Sequence, residues 1–213
     1  MICHKHKCIL VHIPRCAGSS MERTILGRNW VGSKISNGAI GGGVTTQHLL
    51  ASTAKNLYHE HWEDYFKFSF VRNPWSRMVS LAQCCENFYK AKIVDGKLDP
   101  RGYIQQYPDR EIDARSISAH KSLQPYKPAI MNAVYLNTLD EELDYIGRFE
   151  NLQDDWKHVC DVIGIKNTLF GSNGSKKPVS STEYTKYYDD ETREQIAQRY
   201  AKDIEYFGYK FGE

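Results

Sequence analysis

The sequence contains no long hydrophobic run. Its longest apolar stretches, such as residues 8–11 and 133–136, fall far short of the ~20 residues that a membrane-spanning helix requires, so no membrane span is predicted. The apolar stretch of residues 1–14 is broken by His12 and Pro14 and lacks a small-residue cleavage site, which excludes a secretory signal. A cytoplasmic location is therefore expected.

A strong charge imbalance is also absent. Lys and Arg total 28 and Asp and Glu total 26, which gives a net charge of +2. This balance provides no overall attraction for a polyanion, so no nucleic acid partner is expected. Any anion-binding site must be a local feature of the fold.

Cysteine is too sparse for a disulfide scaffold, because the chain has 6 cysteines in 213 residues. Reduced thiols are therefore expected. The spacing of Cys3, His4, His6 and Cys8 would suit a zinc site, but structural zinc sites pair such a motif with a second, distant pair of ligands. We favour a strand entrance with Cys8 buried and the histidines solvated, and we predict no metal.

The residues that are present favour one folded α/β domain over residues 1–213. The composition, 41% hydrophobic and 25% charged, is typical of globular proteins. The hydrophobic patterns predict strands at residues 8–13, 65–71, 133–136 and 145–149. They predict helices at about residues 21–26, 47–57, 75–89, 151–163 and 189–207. Strands that alternate with helices indicate a three-layer sandwich with a mostly parallel central sheet and a ligand at the carboxyl ends of its strands.

The first of two polar loops follows the strand at residues 8–13 and reads HIPRCAGSS, residues 12–20. A short loop between a strand and a helix directs backbone N–H groups and the helix dipole outward, which suits an anion. Gly18 allows close approach, Ser19 and Ser20 add hydroxyl donors, and Arg15 adds a permanent charge. The loop lacks the G-x-x-x-x-G-K-[ST] pattern, so it does not specify a standard triphosphate site.

The second loop, FVRNPWSRMVS at residues 70–80, follows the strand at residues 65–71. It places Arg72 at the strand end, with Arg77 and Ser80 in the helix that Pro74 begins. An arginine suits phosphate or sulfate, whereas a surface arginine at a helix start is the plain alternative. A second anion loop in the same domain favours the first interpretation.

These segments resemble those of the sulfotransferase family that includes the carbohydrate O-sulfotransferases. HIPRCAGSSME (residues 12–22) is similar to the family's phosphosulfate-binding loop, and FKFSFVRNPWSRMVS (66–80) to its 3′-phosphate-binding loop. GRFENLQDDW (147–156) and residues 184–211 resemble the C-terminal half. The resemblance implies a P-loop NTPase-like fold. It also implies transfer of a sulfuryl group from 3′-phosphoadenosine 5′-phosphosulfate (PAPS) to an acceptor hydroxyl, which releases adenosine 3′,5′-bisphosphate (PAP).

Carried over position by position, the resemblance implies a donor site built from both loops. Arg72 and Ser80 would hold the 3′-phosphate. Lys176 and Lys177 could also reach it, although a solvated basic loop is the preferred interpretation of these two lysines. The 5′-phosphosulfate would be held by the first loop, namely Arg15, Cys16, Ala17, Gly18, Ser19 and Ser20.

The family usually has Lys-Thr where this chain has Arg15-Cys16. Arg15 keeps the charge but cannot donate a proton, so we assign it to electrostatic stabilisation. Cys16 is either a low-pKa thiol beside the anion or, as we prefer, a passive packing residue.

His48 is the best candidate for the general base, since imidazole titrates near neutrality and the residue lies at a predicted helix start. The resemblance supports a histidine here. The competing candidates are Glu22, His59, His61 and His120.

The acceptor stays open between a carbohydrate and another small molecule, because residues 31–46 and 95–124, which would shape its pocket, have little pattern. Two alternative functions also remain. One is a P-loop-type kinase that uses ATP and magnesium, against which the missing Walker lysine and the lack of an obvious acidic metal ligand count. The other is a nucleotide-binding module without turnover. The sequence does not indicate an oligomeric state.

Overall fold

The computed structural model describes residues 1–27, 48–106, 135–169 and 183–213. Most of the segment predicted to shape the acceptor pocket lies outside these ranges. So do His120, Lys176 and Lys177. The single domain over residues 1–213 stays a prediction.

In the described part of the chain, the central sheet has four strands and is mostly parallel, as predicted. Strands β2 and β3 are parallel, with Leu10 opposite Phe68, and β3 and β6 are parallel, with Phe70 opposite Gly147. Only the short β1 runs antiparallel, beside β2. In chain order the strands of this sheet are β1 (Ile2–Cys3), β2 (Cys8–Val11), β3 (Phe66–Val71) and β6 (Tyr145–Arg148). A separate hairpin consists of β4 (Lys92–Val94) and β5 (Lys97–Asp99).

Helices cover both faces of this sheet. Leu10 and Phe68 belong to a large core that also contains Met21 of the first helix and Trp156 of a later one. Residues of β2 that point the other way pack in a second core with the helices that precede β3. The alternation along β2 thus produces the predicted three-layer arrangement, while kinship with P-loop nucleotide-binding folds stays a prediction.

The described residues form helices at all five predicted places and additional short helices between them, with two 3₁₀ turns at Phe149–Asn151 and Glu183–Tyr187. They are α1 (Gly18–Leu26), α2 (Ala51–Leu57), α3 (His59–Trp62), α4 (Pro74–Tyr89), α5 (Arg101–Gln106), α6 (Tyr135–Thr138), α7 (Leu152–Ile163), α8 (Asp190–Arg199) and α9 (Ala201–Phe207). Within the described ranges, no helix is long and apolar enough to cross a membrane.

The prediction of a strand at residues 133–136 is wrong for the part that the structure describes. Tyr135 begins a helical turn, α6. The buried carboxylate of Asp203 accepts hydrogen bonds from the backbone N–H groups of Tyr135 and Leu136, at 2.8 and 2.9 Å. A carboxylate from a distant helix therefore satisfies this helix start, and the local sequence does not reveal it.

The last predicted helix is divided at Tyr200. Its start is as expected, since Asp189 forms a reciprocal capping box with Thr192. At Tyr200 the backbone leaves the helical conformation, and the buried hydroxyl contacts Arg77 at 3.0 Å and Tyr103 at 2.9 Å. These buried hydrogen bonds fix Tyr200 against the core and outweigh helix continuity.

Candidate functional site

The two predicted loops meet at the carboxyl edge of the sheet. Strands β2 and β3 are parallel neighbours, so the chain leaves both at the same edge. The first loop leads from β2 into α1, and the second from β3 into α4. This placement brings residues that are more than fifty positions apart into contact.

The first loop ends in a helix start with an unusual backbone. Arg15 and Ala17 have φ values of 68° and 66°, in the left-handed region that is costly for residues other than glycine. Helix α1 begins at Gly18, three residues earlier than the predicted start. No described side chain caps it, and its first turn has no acidic residue. The Ser20 N–H donates to the Ala17 carbonyl at 2.9 Å, and the Cys16 N–H donates to the Ile13 carbonyl at 3.4 Å. The helix dipole and the remaining N–H groups of this turn therefore suit an anion.

Gly18 makes room for a neighbouring side chain of the protein. A Cβ atom at this position would lie 2.2 Å from Cδ2 of His12, so the absence of a side chain makes room for the imidazole ring. The close approach that Gly18 permits in this structure is with His12. The sequence analysis did not identify His12 as a functional residue.

The second loop ends in a helix start that is already capped. The Asn73 side chain accepts from the N–H groups of Trp75 and Ser76, and Pro74 occupies the first turn. The Glu150 carboxylate accepts the Asn73 N–H at 2.7 Å, and the Asn73 amide donates to the carbonyl of Lys210 at 2.9 Å. The N–H groups at the start of α4 are thus hydrogen-bonded to protein atoms. The second loop therefore contributes side chains, rather than backbone N–H groups, to the candidate site.

Arg72 is a buried cation, 4% exposed, at the junction of the two loops. Its Nε donates to Ser76 at 2.9 Å, one Nη donates to the carbonyl of Arg15 at 3.3 Å, and its guanidinium lies 4.0 Å from the ring centre of Phe149. Burial lowers the pKa of this guanidinium from its usual value. Arg72, which is predicted to bind the 3′-phosphate, is therefore held in place beside the first loop.

Arg15 connects the residues predicted to hold the phosphosulfate with those predicted to hold the 3′-phosphate. Its Nε donates to the Ser80 hydroxyl at 3.0 Å, and one Nη lies 3.2 Å from the Cys84 sulfur. Among the described residues, neither Arg15 nor Arg72 has a carboxylate within ion-pair distance. Two adjacent guanidinium groups without a paired carboxylate create a local positive field in a nearly neutral chain.

Arg77 holds the first loop through a hydrogen bond to its backbone. It is buried, donates from Nε to the carbonyl of Pro14 at 2.9 Å, and donates from an Nη to the Tyr200 hydroxyl at 3.0 Å. It holds the end of the strand that carries the loop. Its two partners, Pro14 and Tyr200, lie far from it in the chain, so sequence spacing did not indicate this role.

Cys16 is buried, 1% exposed, and its thiol lies 3.7 Å from the carbonyl of Pro14. Burial raises the pKa of this thiol to about 12, although the nearby arginines favour the thiolate. The alternative of a low-pKa, reactive thiol is therefore wrong. The preferred interpretation of Cys16 as a packing residue agrees with this environment.

His48 lies beside the end of β2. Its Nδ1 is 2.9 Å from the backbone carbonyl of His12, and the two imidazole rings are 4.4 Å apart between centres. A carbonyl can only accept, so Nδ1 carries the proton and the lone pair of the neutral ring resides on Nε2. Helix α2 begins at Ala51, so His48 precedes it rather than lying in its first turn.

The other described candidates for the base lie in different environments. Glu22 is buried and contacts Nδ1 of His12 at 3.0 Å. His59 and His61 belong to α3, before the amino end of β3, and His61 stacks on Tyr65 with ring centres 4.8 Å apart. These two histidines are therefore at the sheet edge opposite the loops.

The N-terminal hairpin accommodates Cys3 and Cys8 as a cross-strand pair, both buried, while His4 is exposed and bonds to the Tyr65 hydroxyl at 3.0 Å. In the ranges that the structure describes, no three potential metal ligands cluster. The five cysteines with described side chains are free thiols.

Comparison with known proteins gives the family. The family model described as Sulfotransferase family matches residues 1–210. The chain belongs to the sulfotransferase family. This membership confirms the resemblance of the loops and the C-terminal half, and it supports an enzymatic role for the site.

The chain is similar to human carbohydrate sulfotransferase 9, at 22% identity over 219 residues that cover 94% of this chain and 47% of the relative. It therefore spans about half the length of this curated sulfotransferase. No solved structure matches the chain.

Proposed function

We propose that this sulfotransferase family member transfers a sulfuryl group from PAPS to an acceptor hydroxyl and releases PAP. The observation that carries the proposal is the pair Arg15 and Arg72, linked through the Arg15 carbonyl and placed at the uncapped start of α1. A buried guanidinium without a paired carboxylate gains most from a bound anion. The residues present therefore fit a donor with two anionic ends.

PAPS supplies the sulfuryl group and a stable leaving nucleotide when it is bound. Arg15 and the N–H groups of residues 16–20 would hold its phosphosulfate end, and Arg72 and Ser80 its 3′-phosphate. The contact of Arg15 with Ser80 shows that these two sets are neighbours. Arg15 stabilises negative charge and donates no proton.

His48 acts as the general base in this proposal. The His12 carbonyl holds the proton on Nδ1, which presents Nε2 as the nitrogen that takes the proton of the acceptor hydroxyl. The acceptor class we propose is a carbohydrate, because the curated relative is a carbohydrate sulfotransferase. No step in this assignment needs a metal ion.

The deciding experiment is calorimetric titration of the protein with PAP and, separately, with ATP plus magnesium. We expect PAP to bind to the wild type. Arg72→Ala should weaken PAP affinity by about 100-fold, because it removes the charge-assisted hydrogen bonds of one guanidinium group. Arg101→Ala is the matched control, since Arg101 is exposed and pairs with Asp99 outside the site. Preference for ATP with magnesium would replace the proposal with a kinase.

Turnover separates an enzyme from a binding module. Radiolabelled PAPS is incubated with a panel of unsulfated oligosaccharides, and transfer is measured for the wild type and His48→Ala. We expect transfer in the wild type and a loss of about 100-fold or more in the variant with PAP still bound. Binding of PAP without transfer to any acceptor would favour the module, and unchanged turnover in His48→Ala would remove His48 as the base.

A further inference from the structure

A buried carboxylate–imidazole pair lies directly beneath the first loop. Glu22 Oε1 is 3.0 Å from Nδ1 of His12, and the two side chains are 1% and 3% exposed. Burial of a carboxylate is costly unless it is paired and hydrogen-bonded, and an apolar pair would fill the same space at least as well. The presence of this pair beside the site therefore suggests a role other than stability.

The surroundings of the pair fix the orientation of the His12 ring. One face of the ring lies against Gly18, where no Cβ could be accommodated, and Nδ1 is held by Glu22 on the next turn of α1. The strand end and the helix together leave this imidazole little freedom. A ring fixed in this way can serve as a rigid support for a neighbouring side chain.

The neighbour is His48, and His12 contacts it twice. The His12 backbone carbonyl accepts from Nδ1 of His48 at 2.9 Å, and the two rings meet edge to face with centres 4.4 Å apart. The first contact selects the tautomer of His48, and the second limits the rotation of its ring. Because a carbonyl can only accept, this contact requires the proton on Nδ1 of His48, and the protein thereby selects that tautomer.

We propose that Glu22 and His12 are positioning residues that hold His48 in the tautomer and orientation in which its Nε2 accepts a proton. This inference rests on the proposed function, in which His48 is the general base. Glu22 fixes the His12 ring, the His12 ring and carbonyl fix His48, and only His48 contacts the acceptor. Glu22, a competing base in the sequence analysis, thereby acts through two imidazoles.

The first test needs no turnover. Long-range ¹H–¹⁵N NMR of the PAP-bound, ¹⁵N-labelled protein reports the tautomer of each histidine, and His48→Ala assigns the His48 signals. We expect His48 to carry its proton on Nδ1 in the wild type. Glu22→Gln keeps the size of the side chain but removes its charge, and we expect it to produce a mixture of tautomers at His48. An unchanged His48 pattern in both Glu22→Gln and His12→Asn would overturn the inference.

The second test is a double-mutant cycle on turnover, with PAPS as the donor and unsulfated chondroitin as the acceptor probe. Glu22→Gln should lower kcat by about tenfold or more, as loss of an orienting partner does elsewhere, with the Kd for PAP changed less than about twofold. In the His48→Ala background the same substitution should have no further effect. An equal loss in both backgrounds would show a purely structural role.

The matched control is Ile25→Val, which loosens the buried face of α1 without touching His12. We expect its melting temperature to fall while the His48 tautomer and kcat stay unchanged. The outcomes also separate the two proposals. If PAP fails to bind or His48→Ala keeps full turnover, the proposed function is wrong; if both behave as expected and the cycle is additive, only the positioning role is wrong.

Discussion

Helix α1 and helix α4 both begin where a parallel strand of the sheet ends, yet their first turns are built in opposite ways. The start of α4 is capped by Asn73, with Pro74 in its first turn and Glu150 holding the cap. The start of α1 follows a left-handed Ala17 and has neither a side-chain cap from the described residues nor an acid in its first turn. One helix start is completed by the protein, and the other is left for a ligand.

This difference assigns distinct tasks to the two loops. Backbone N–H groups and the helix dipole are available at α1, whereas the second loop contributes the side chain of Arg72. The left-handed backbone at Arg15 and Ala17 costs of order 1 kcal/mol per residue. The well-capped second loop supplies stability, and we propose that the first loop supplies the anion site.

The contrast between the two helix starts is tested most strongly by placing an acid at the start of α1. Ser19→Asp adds a negative charge to the exposed first turn, where it would repel a bound anion. We expect the affinity for PAP to fall by about 100-fold or more, since two charges ~4 Å apart interact by several kcal/mol in a partly screened site. Calorimetric titration measures the loss.

The free energy of unfolding of Ser19→Asp should rise, although its affinity for PAP falls. An acid in the first turn interacts favourably with the helix dipole, so we expect unfolding of Ser19→Asp to cost about 0.3–1 kcal/mol more than in the wild type. Asn167→Asp, which adds the same charge at an exposed position after α7, should leave PAP binding unchanged. Equal effects of the two substitutions on affinity would mean that α1 does not contact the nucleotide.

A second substitution tests how tightly the first loop is packed. Gly18→Ala would place Cβ 2.2 Å from the His12 ring, and such overpacking costs about 1–3 kcal/mol. Chemical denaturation measures the free energy of unfolding. If the ring is the obstacle, the same substitution should cost much less in a His12→Ala background. An equal cost in both backgrounds would place the strain in the loop backbone instead.

The sequence predicted those parts of the fold and site that depend on local patterns. The strands β2 and β3 and the start of the last helix at Asp189 are encoded by neighbouring residues, and each prediction is confirmed. The two arginine loops followed from strand–loop–helix order and were strengthened by the family resemblance.

The features that the sequence did not predict depend on contacts between distant residues. The Asp203 carboxylate turned a predicted strand into a helix start at Tyr135, and buried contacts of Tyr200 divided the last helix. Sequence patterns did not indicate a role for His12, because its two partners, Glu22 and His48, lie in separate segments and define no motif. Single-sequence patterns do not report such pairings.

A smaller effect is expected from removing the cap of α4. Asn73→Ala deletes the acceptor for two backbone N–H groups, and loss of an N-cap costs about 1 kcal/mol. The melting temperature should fall, with PAP affinity reduced by no more than a few-fold. Asp189→Ala removes the cap of α8 and should cost a similar amount while leaving PAP affinity unchanged. A large loss of PAP affinity in Asn73→Ala alone would show that this cap also serves the nucleotide.

The smallest effect concerns Cys16, a buried residue of the first loop. Its pKa is raised by burial from 9.0 to about 12, so its contribution to stability is complete below about pH 9 and is lost as pH rises towards 12. Between pH 8 and 9.5 the wild type should lose about 1 kcal/mol more than Cys16→Ala, measured by denaturation at each pH. Iodoacetamide at pH 8 should label the exposed Cys84 and leave Cys16 unmodified. Labelling of Cys16 in the folded protein would contradict its burial and would return it to the list of reactive groups beside the anion site.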